Sequence, residues 1–299
     1  MGACMCTREI FATPTCRASD ASRATMSCRK STVSGYLRMP ANAWRMGFSI
    51  LFACLGFMVA SLPRAAWAIS DEIQVYTDEI NEPGEHGLEL HVNTTPRGRK
   101  TPDYEGDLPP YRGVRVTPEF SWGLTKTFEA GLYLPMATGM DGGPYLGGIK
   151  GRIKWLPVRA ETGPYLGANV ELSNVTKKFS ESRVGTELRV MAGYRTENWL
   201  LGVNPILDWS LSPGHRGSPE VVTAWKASRQ VASGLALGAE YYNGLGKLND
   251  RLPGDQQERS LFFVLDVDRK PWVFNLGIGH GLNRASDAWT LKLIFDVPI

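Results

Sequence analysis

From residue 87 to the end of the chain, apolar and polar residues alternate one by one in run after run. A period of two belongs to the β-strand, whose successive side chains point to opposite faces. Val114, Val116, Phe120 and Trp122 alternate with Arg115, Thr117, Glu119 and Ser121. Phe128, Ala130 and Leu132 flank Glu129, and Ile149, Ile153 and Trp155 interleave with Lys150, Arg152 and Lys154. Glu171 falls between Val170 and Leu172, while Glu187 and Arg189 flank Leu188. Leu261, Phe263, Leu265 and Val267 oppose Asp266 and Asp268. Twelve such runs are expected, each close to the roughly 9–11 residues that a tilted strand needs to cross a bilayer. The connections alternate in length as well. Long ones fall at 96–111, 137–145, 174–183, 210–218 and 244–258, with short ones at 123–126, 196–198, 231–233 and 269–271 and an intermediate one at 157–163.

The two faces differ in a way that suits a membrane. The polar face carries bulky charges of both signs on strand after strand, and the apolar face carries its large aromatics at strand ends. Trp122, Phe128, Trp155, Tyr194, Trp199 and Trp272 all stand in the apolar register beside a short turn. They are expected to form a girdle at one membrane interface, where rings with an apolar body and a polar edge are favoured. Trp209, Trp225 and Trp289 are assigned to the opposite girdle. In lipid every backbone N–H and C=O must be paired and no edge can remain. The predicted fold class is therefore all-β, a closed antiparallel transmembrane β-barrel of about 12 strands, with long loops at one end and short turns at the other. The competing fold is a soluble β-sandwich or lipocalin-like barrel, in which the apolar face would be the core. Pro118 and Pro205 fall inside strands, where each removes a ladder hydrogen bond, so distortion is expected there.

The first 68 residues differ in kind. They hold all five cysteines of the 299-residue chain, and eight Lys/Arg against only Glu9 and Asp20. The rest is cysteine-free and mildly acidic, which excludes a disulfide scaffold, a thiolate zinc site, a cysteine nucleophile and a nucleic-acid-binding charge balance. Met46–Pro63 is an uncharged apolar run after Arg38 and Arg45, and it exits through Ala66-Trp67-Ala68. This reads as a secretory signal peptide cut after Ala68, with a retained anchor as the alternative. The predicted organisation is a non-structural extension 1–45 (true start at Met39 or Met46), a signal peptide 46–68, a segment 69–86 and a barrel 87–299. Residues 69–86 are either an extra strand or a piece tucked into the lumen.

The inward set supplies the candidate lumen and selectivity residues: Arg115, Glu119, Glu129, Lys150, Arg152, Lys154, Glu171, Glu187, Arg189, Asp266 and Asp268. Lys150, Arg152 and Lys154 form a basic ladder between strands bearing Glu129 and Glu171. Cross-strand ion pairs and a selectivity stripe for anions are both open readings. Catalytic signals are weak. Ser286, Asp287 and His280 lack an elbow or oxyanion arrangement. Asp266 and Asp268 read as lumen charges, and His86, His91, His215 and His280 have no ligand spacing. Asp103, Glu105 and Asp107 read as a solvated loop. The reading is of a protein that is not an enzyme, with no cofactor and no metal.

Two stretches resemble a known group. The ending Trp289-Thr-Leu-Lys-Leu-Ile-Phe-Asp-Val-Pro-Ile299 resembles the C-terminal strand of Gram-negative outer-membrane proteins, departing at Ile299, where Phe or Trp is usual. Trp122-Gly-Leu-Thr-Lys126 with Glu129-Ala-Gly-Leu-Tyr-Leu-Pro135 looks like the hairpin of transporter-like barrels associated with aromatic-compound (phenol) degradation. The resemblance implies an outer-membrane location and insertion by the barrel-assembly machinery through the C-terminal strand. It also implies lipid and lipopolysaccharide surroundings and passage of small solutes; no nucleic acid is expected as a partner.

Overall fold

The computed structural model describes residues 72–139 and 142–298. The expected extension 1–45, the signal peptide 46–68 and Ile299 lie outside the described residues. The strands are β1 (His86–Arg97), β2 (Val114–Gly123), β3 (Phe128–Tyr133), β4 (Met136–Thr138), β5 (Pro144–Leu146), β6 (Gly148–Val158), β7 (Gly163–Val175) and β8 (Val184–Arg195). They continue as β9 (Trp199–Ser210), β10 (Glu220–Ala232), β11 (Leu235–Lys247), β12 (Asp250–Arg251), β13 (Arg259–Arg269), β14 (Trp272–Gly281) and β15 (Trp289–Asp296). Twelve of them make the wall. The short β4, β5 and β12 extend hairpins beyond it. Each wall strand pairs antiparallel with its chain neighbours, and β1 pairs with both β2 and β15, so the sheet closes on itself with no free edge.

Exposure decides between the two folds that the alternation allowed. Phe263 is 67% exposed and Trp272 62%, whereas Lys292 is 1% exposed and Glu240 2%. The outer surface is apolar and the interior is charged, the inverse of a soluble protein. An exposed apolar belt around a closed sheet is satisfied by lipid, and the twelve-stranded closed barrel is thus a transmembrane one.

The prolines act on the ladder without shifting its register. Both face outward. Opposite Pro118 the partner strand is interrupted at Leu134–Pro135, which separates β3 from β4, while Leu134 N–H still reaches the Pro118 carbonyl at 3.1 Å. Between β8 and β9 the pairing lapses at Val190/Pro205 and Met191/Asn204 and resumes in the same register at Ala192↔Val203. The expected distortion is thus a local gap rather than a bulge. Bulges occur elsewhere, between Trp155 and Val158 and between Val221 and Val222.

Trp122, Phe128, Trp155, Tyr194, Trp199 and Trp272 are all exposed on the outer face beside short turns, and the Phe128 and Trp155 rings stack at 6.0 Å across β3 and β6. Trp289 starts β15 at the loop end. Trp225 departs from its expected place: it pairs with Val203 and Tyr241 within the wall rather than at a strand end. At the turn end, Ser233–Gly234 joins β10 to β11, and Gly234 adopts a φ of 62°, which glycine tolerates at no steric cost.

Candidate functional site

The lumen is occupied by the chain's own N-terminal segment. Glu72 to Asn81 forms no strand and runs from the loop end toward the turn end, inside the wall. Its backbone is held by inward side chains. Asn204 accepts from Tyr76 N–H at 2.7 Å and donates to the Tyr76 carbonyl at 2.9 Å. Arg189 donates to the Gln74 carbonyl and Lys292 to the Ile73 carbonyl, each at 3.0 Å. Glu129 accepts from Asn81 N–H at 2.7 Å. Its apolar side chains find inward apolar partners. Val75 packs on Ile206, Val222 and Ala224, Ile73 on Phe262 and Val264, and Tyr76 on Leu156 and Met191. Each buried apolar side chain of this kind contributes about 1.5–3 kcal/mol. Tyr76 also hydrogen-bonds the Tyr133 hydroxyl at 2.7 Å and lies under the cations of Arg189 (4.3 Å) and Lys154 (5.1 Å).

The candidate lumen residues gather around this segment in separate networks. Arg152 pairs with Glu119 and, at 2.7 Å, with Glu129, which also pairs with Lys154 at 3.2 Å. Lys150 bridges Glu72 (3.2 Å) and Glu171 (3.4 Å). All three ladder cations are therefore in ion pairs. Arg189 pairs with Glu187 at 2.9 Å. Asp266 meets Lys226 at 2.8 Å, and Lys226 and Lys292 both meet Glu240. Arg115 donates to the Leu108 carbonyl beside the Phe179 ring. Asp268 is exposed near the turn end.

On either side of the segment the lumen opens into a cavity, about 540 Å³ at the loop end and about 640 Å³ at the turn end. Register places a row of carboxylates at each. At the loop end Glu171, Glu187, Asp208 and Glu220 are direct cross-strand neighbours on β7, β8, β9 and β10. At the turn end Asp296, Glu89 and Glu119 are neighbours on β15, β1 and β2, of which Asp296 and Glu89 line the cavity while Glu119 is buried. Like charges directly opposite one another are destabilising, and three members of the rows meet cations: Glu171 pairs with Lys150, Glu187 with Arg189 and Glu119 with Arg152. The Tyr242 ring also borders the loop-end cavity, with the Phe179 and Phe262 rings buried behind its lining.

Several residues of this arrangement carry no signal of their own in the sequence: Tyr76, Tyr133, Asn204 and His91. Their trace is indirect. Leu156, Met191, Ile206, Val222, Phe262 and Val264 occupy inward positions that a water-filled lumen would make polar, and they face the threaded segment. The weak catalytic candidates are dispersed: Ser286 hydroxyl donates to the Arg259 carbonyl, Asp287 accepts from Arg99 N–H, and His280 packs on Trp289.

No protein-family model matches the sequence, and no curated protein matches it. Among solved structures the fold is similar to an outer membrane channel from Pseudomonas putida F1, with a TM-score of 0.54 at 13% identity over 76% of this chain and 99% of that one. The NanC porin matches at 12% identity over 71% of this chain and 100% of that one, with a TM-score of 0.45. At these identities the likeness is one of fold. The chain thus has the closed-barrel fold of an outer-membrane channel.

Proposed function

We propose that the protein is a passive outer-membrane channel for small cationic solutes, including organic ones, and that its own segment 72–81 restricts the passage. The observation that carries this reading is the pair of cross-strand carboxylate rows, seven carboxylates in all, of which Glu171, Glu187 and Glu119 meet the cations Lys150, Arg189 and Arg152. Rings of Asp and Glu favour cations in pores. The Tyr242 ring bordering the loop-end cavity suits a solute with an apolar body and an ammonium group, which a π face attracts. In this reading the signal peptide is removed after Ala68, the assembly machinery takes the C-terminal strand, and the loop end faces lipopolysaccharide.

Bilayer reconstitution tests it. Across a salt gradient the reversal potential is expected to have the sign of a cation-preferring pore. Deleting 72–81 should raise single-channel conductance severalfold, with cold-SDS gel mobility confirming a closed barrel. A second reading, a filled barrel with a structural or surface-interaction role, draws on the apolar packing of the segment in the lumen. It predicts no conductance from the intact chain at any voltage.

A further inference from the structure

Where β1 meets β2, Glu89, His91 and Glu119 each bring one donor atom to within 4.8 Å of the others. His91 Nε2 stands 3.0 Å from Glu119 Oε2 and 3.7 Å from Glu89 Oε2. Glu89 and His91 are two apart on β1, and Glu119 lies directly across from Glu89 on β2. Glu119 divides its oxygens. Arg152 takes Oε1 through two guanidinium nitrogens, which leaves Oε2 with His91. Glu89 is flanked on its other side by Asp296. Three carboxylates thus stand side by side at one level, and a cation held between Glu89 and Glu119 would relieve their repulsion.

The donor chemistry and the access agree. His91 and Glu119 are buried, whereas Glu89 is half-buried and lines the turn-end cavity, so the cluster opens to solvent on one side. Bonds of about 2.0 Å put tetrahedral donors on zinc about 3.3 Å apart, between the two separations found here. One imidazole nitrogen with two carboxylate oxygens and an open fourth position for water suits a borderline divalent ion. A neutral imidazole with its proton on Nδ1 would turn the Nε2 lone pair toward an ion held between the two carboxylates. We propose that Glu89, His91 and Glu119 form a zinc-type divalent-metal site on the lumen wall, open to the turn-end cavity.

The site does not depend on the channel reading, and binding rather than conductance tests it. The folded full-length barrel, stripped of metal in detergent, is titrated with Co²⁺ and then with Zn²⁺. Expected are one Co²⁺ per chain, a visible d–d absorption band, and its loss as Zn²⁺ displaces the ion. Glu89→Gln should weaken binding at least about tenfold, and His91→Gln should abolish the band. Asp266→Asn, which removes a carboxylate of the same cavity outside the cluster, should leave both unchanged. Glu89 is partly exposed, so its variant decides the matter even where His91→Gln fails to give the cold-gel mobility of a closed barrel. Absence of saturable binding in the wild type, or equal binding by Glu89→Gln, would overturn the site and leave the cluster as an ion-pair network alone.

Discussion

At the scale of the residue, Arg152 and Asn204 show two ways in which a charged lumen holds its contents. Arg152 is a single buried guanidinium between Glu119 and Glu129, with the Tyr76 and Tyr133 rings close by. Removing one partner from a buried ion-pair network leaves uncompensated charge and costs about 3–5 kcal/mol. Arg152→Gln is expected to lose that much, read as a lower temperature for conversion from the cold-gel to the heated mobility. Lys154→Gln should lose less, because Arg152 still neutralises Glu129. Asn204 instead clamps one peptide of the threaded segment, its amide matching both the N–H and the C=O of Tyr76. Asn204→Leu strands buried backbone groups at about 1–3 kcal/mol each. It should raise amide exchange at Tyr76 while leaving exchange in the wall strands unchanged. Arg152 was legible from the sequence as a lumen charge because it stands in a two-residue period. Asn204 and Tyr76 were not, because a lone inward Asn looks like any wetted lumen residue until the backbone it holds is in view.

At the scale of the element, the strands were legible, and the threaded segment only as one of two readings, an extra strand or a piece tucked into the lumen. Strands announce themselves through a period that repeats across the chain. Glu72–Asn81 is a single extended piece with no partner strand, and only the apolar inward residues it covers betray it. The prolines were rightly seen to interrupt pairing, but local pattern does not reveal whether a strand answers with a bulge or a gap. Restoring the missing donor tests the gap: Pro205→Val is expected to raise the urea midpoint by the worth of about one hydrogen bond, 0.5–1.5 kcal/mol. The loops carry a pH term. Burial pushes the Glu258 carboxyl well above the usual carboxylate range, with Asp287 and Asp103 adding repulsion. Burial also raises Asp287, against the lowering effect of Arg99 N–H at 2.7 Å. An acid with a higher pKa in the folded state holds more protons there. Its contribution is intact below the unfolded value, about pH 4, and is lost as pH rises through the folded one. Glu258→Gln should therefore gain stability relative to wild type as pH rises from about 4 toward 8, read from paired urea midpoints.

At the scale of the whole molecule, the inversion of inside and outside governs the rest. Because lipid satisfies the apolar face, the interior is free to be polar, and its charges pair around a segment of the same chain. The basic ladder of Lys150, Arg152 and Lys154 on one strand was open both to ion pairing and to an anion stripe, and each of the three is in an ion pair. The carboxylate rows run across strands instead, and only the register brings Glu171, Glu187, Asp208 and Glu220 side by side. The triple change of Lys150, Arg152 and Lys154 to Gln is expected to move the reversal potential further toward cations, since it exposes the carboxylates those cations now neutralise. An unchanged potential would remove the lumen charges from any account of selectivity.

The closure of β1 on β15 also has a consequence in time. That seam joins the first wall strand to the last, so it zips only after β15 has been made. The segment leading into β1 lies inside the ring that this seam completes. A wall that closed first would have to be threaded afterwards through its turn end, past Asn81 and Glu129. A segment seated early becomes the mandrel around which the staves are laid, and the last act of assembly locks it in.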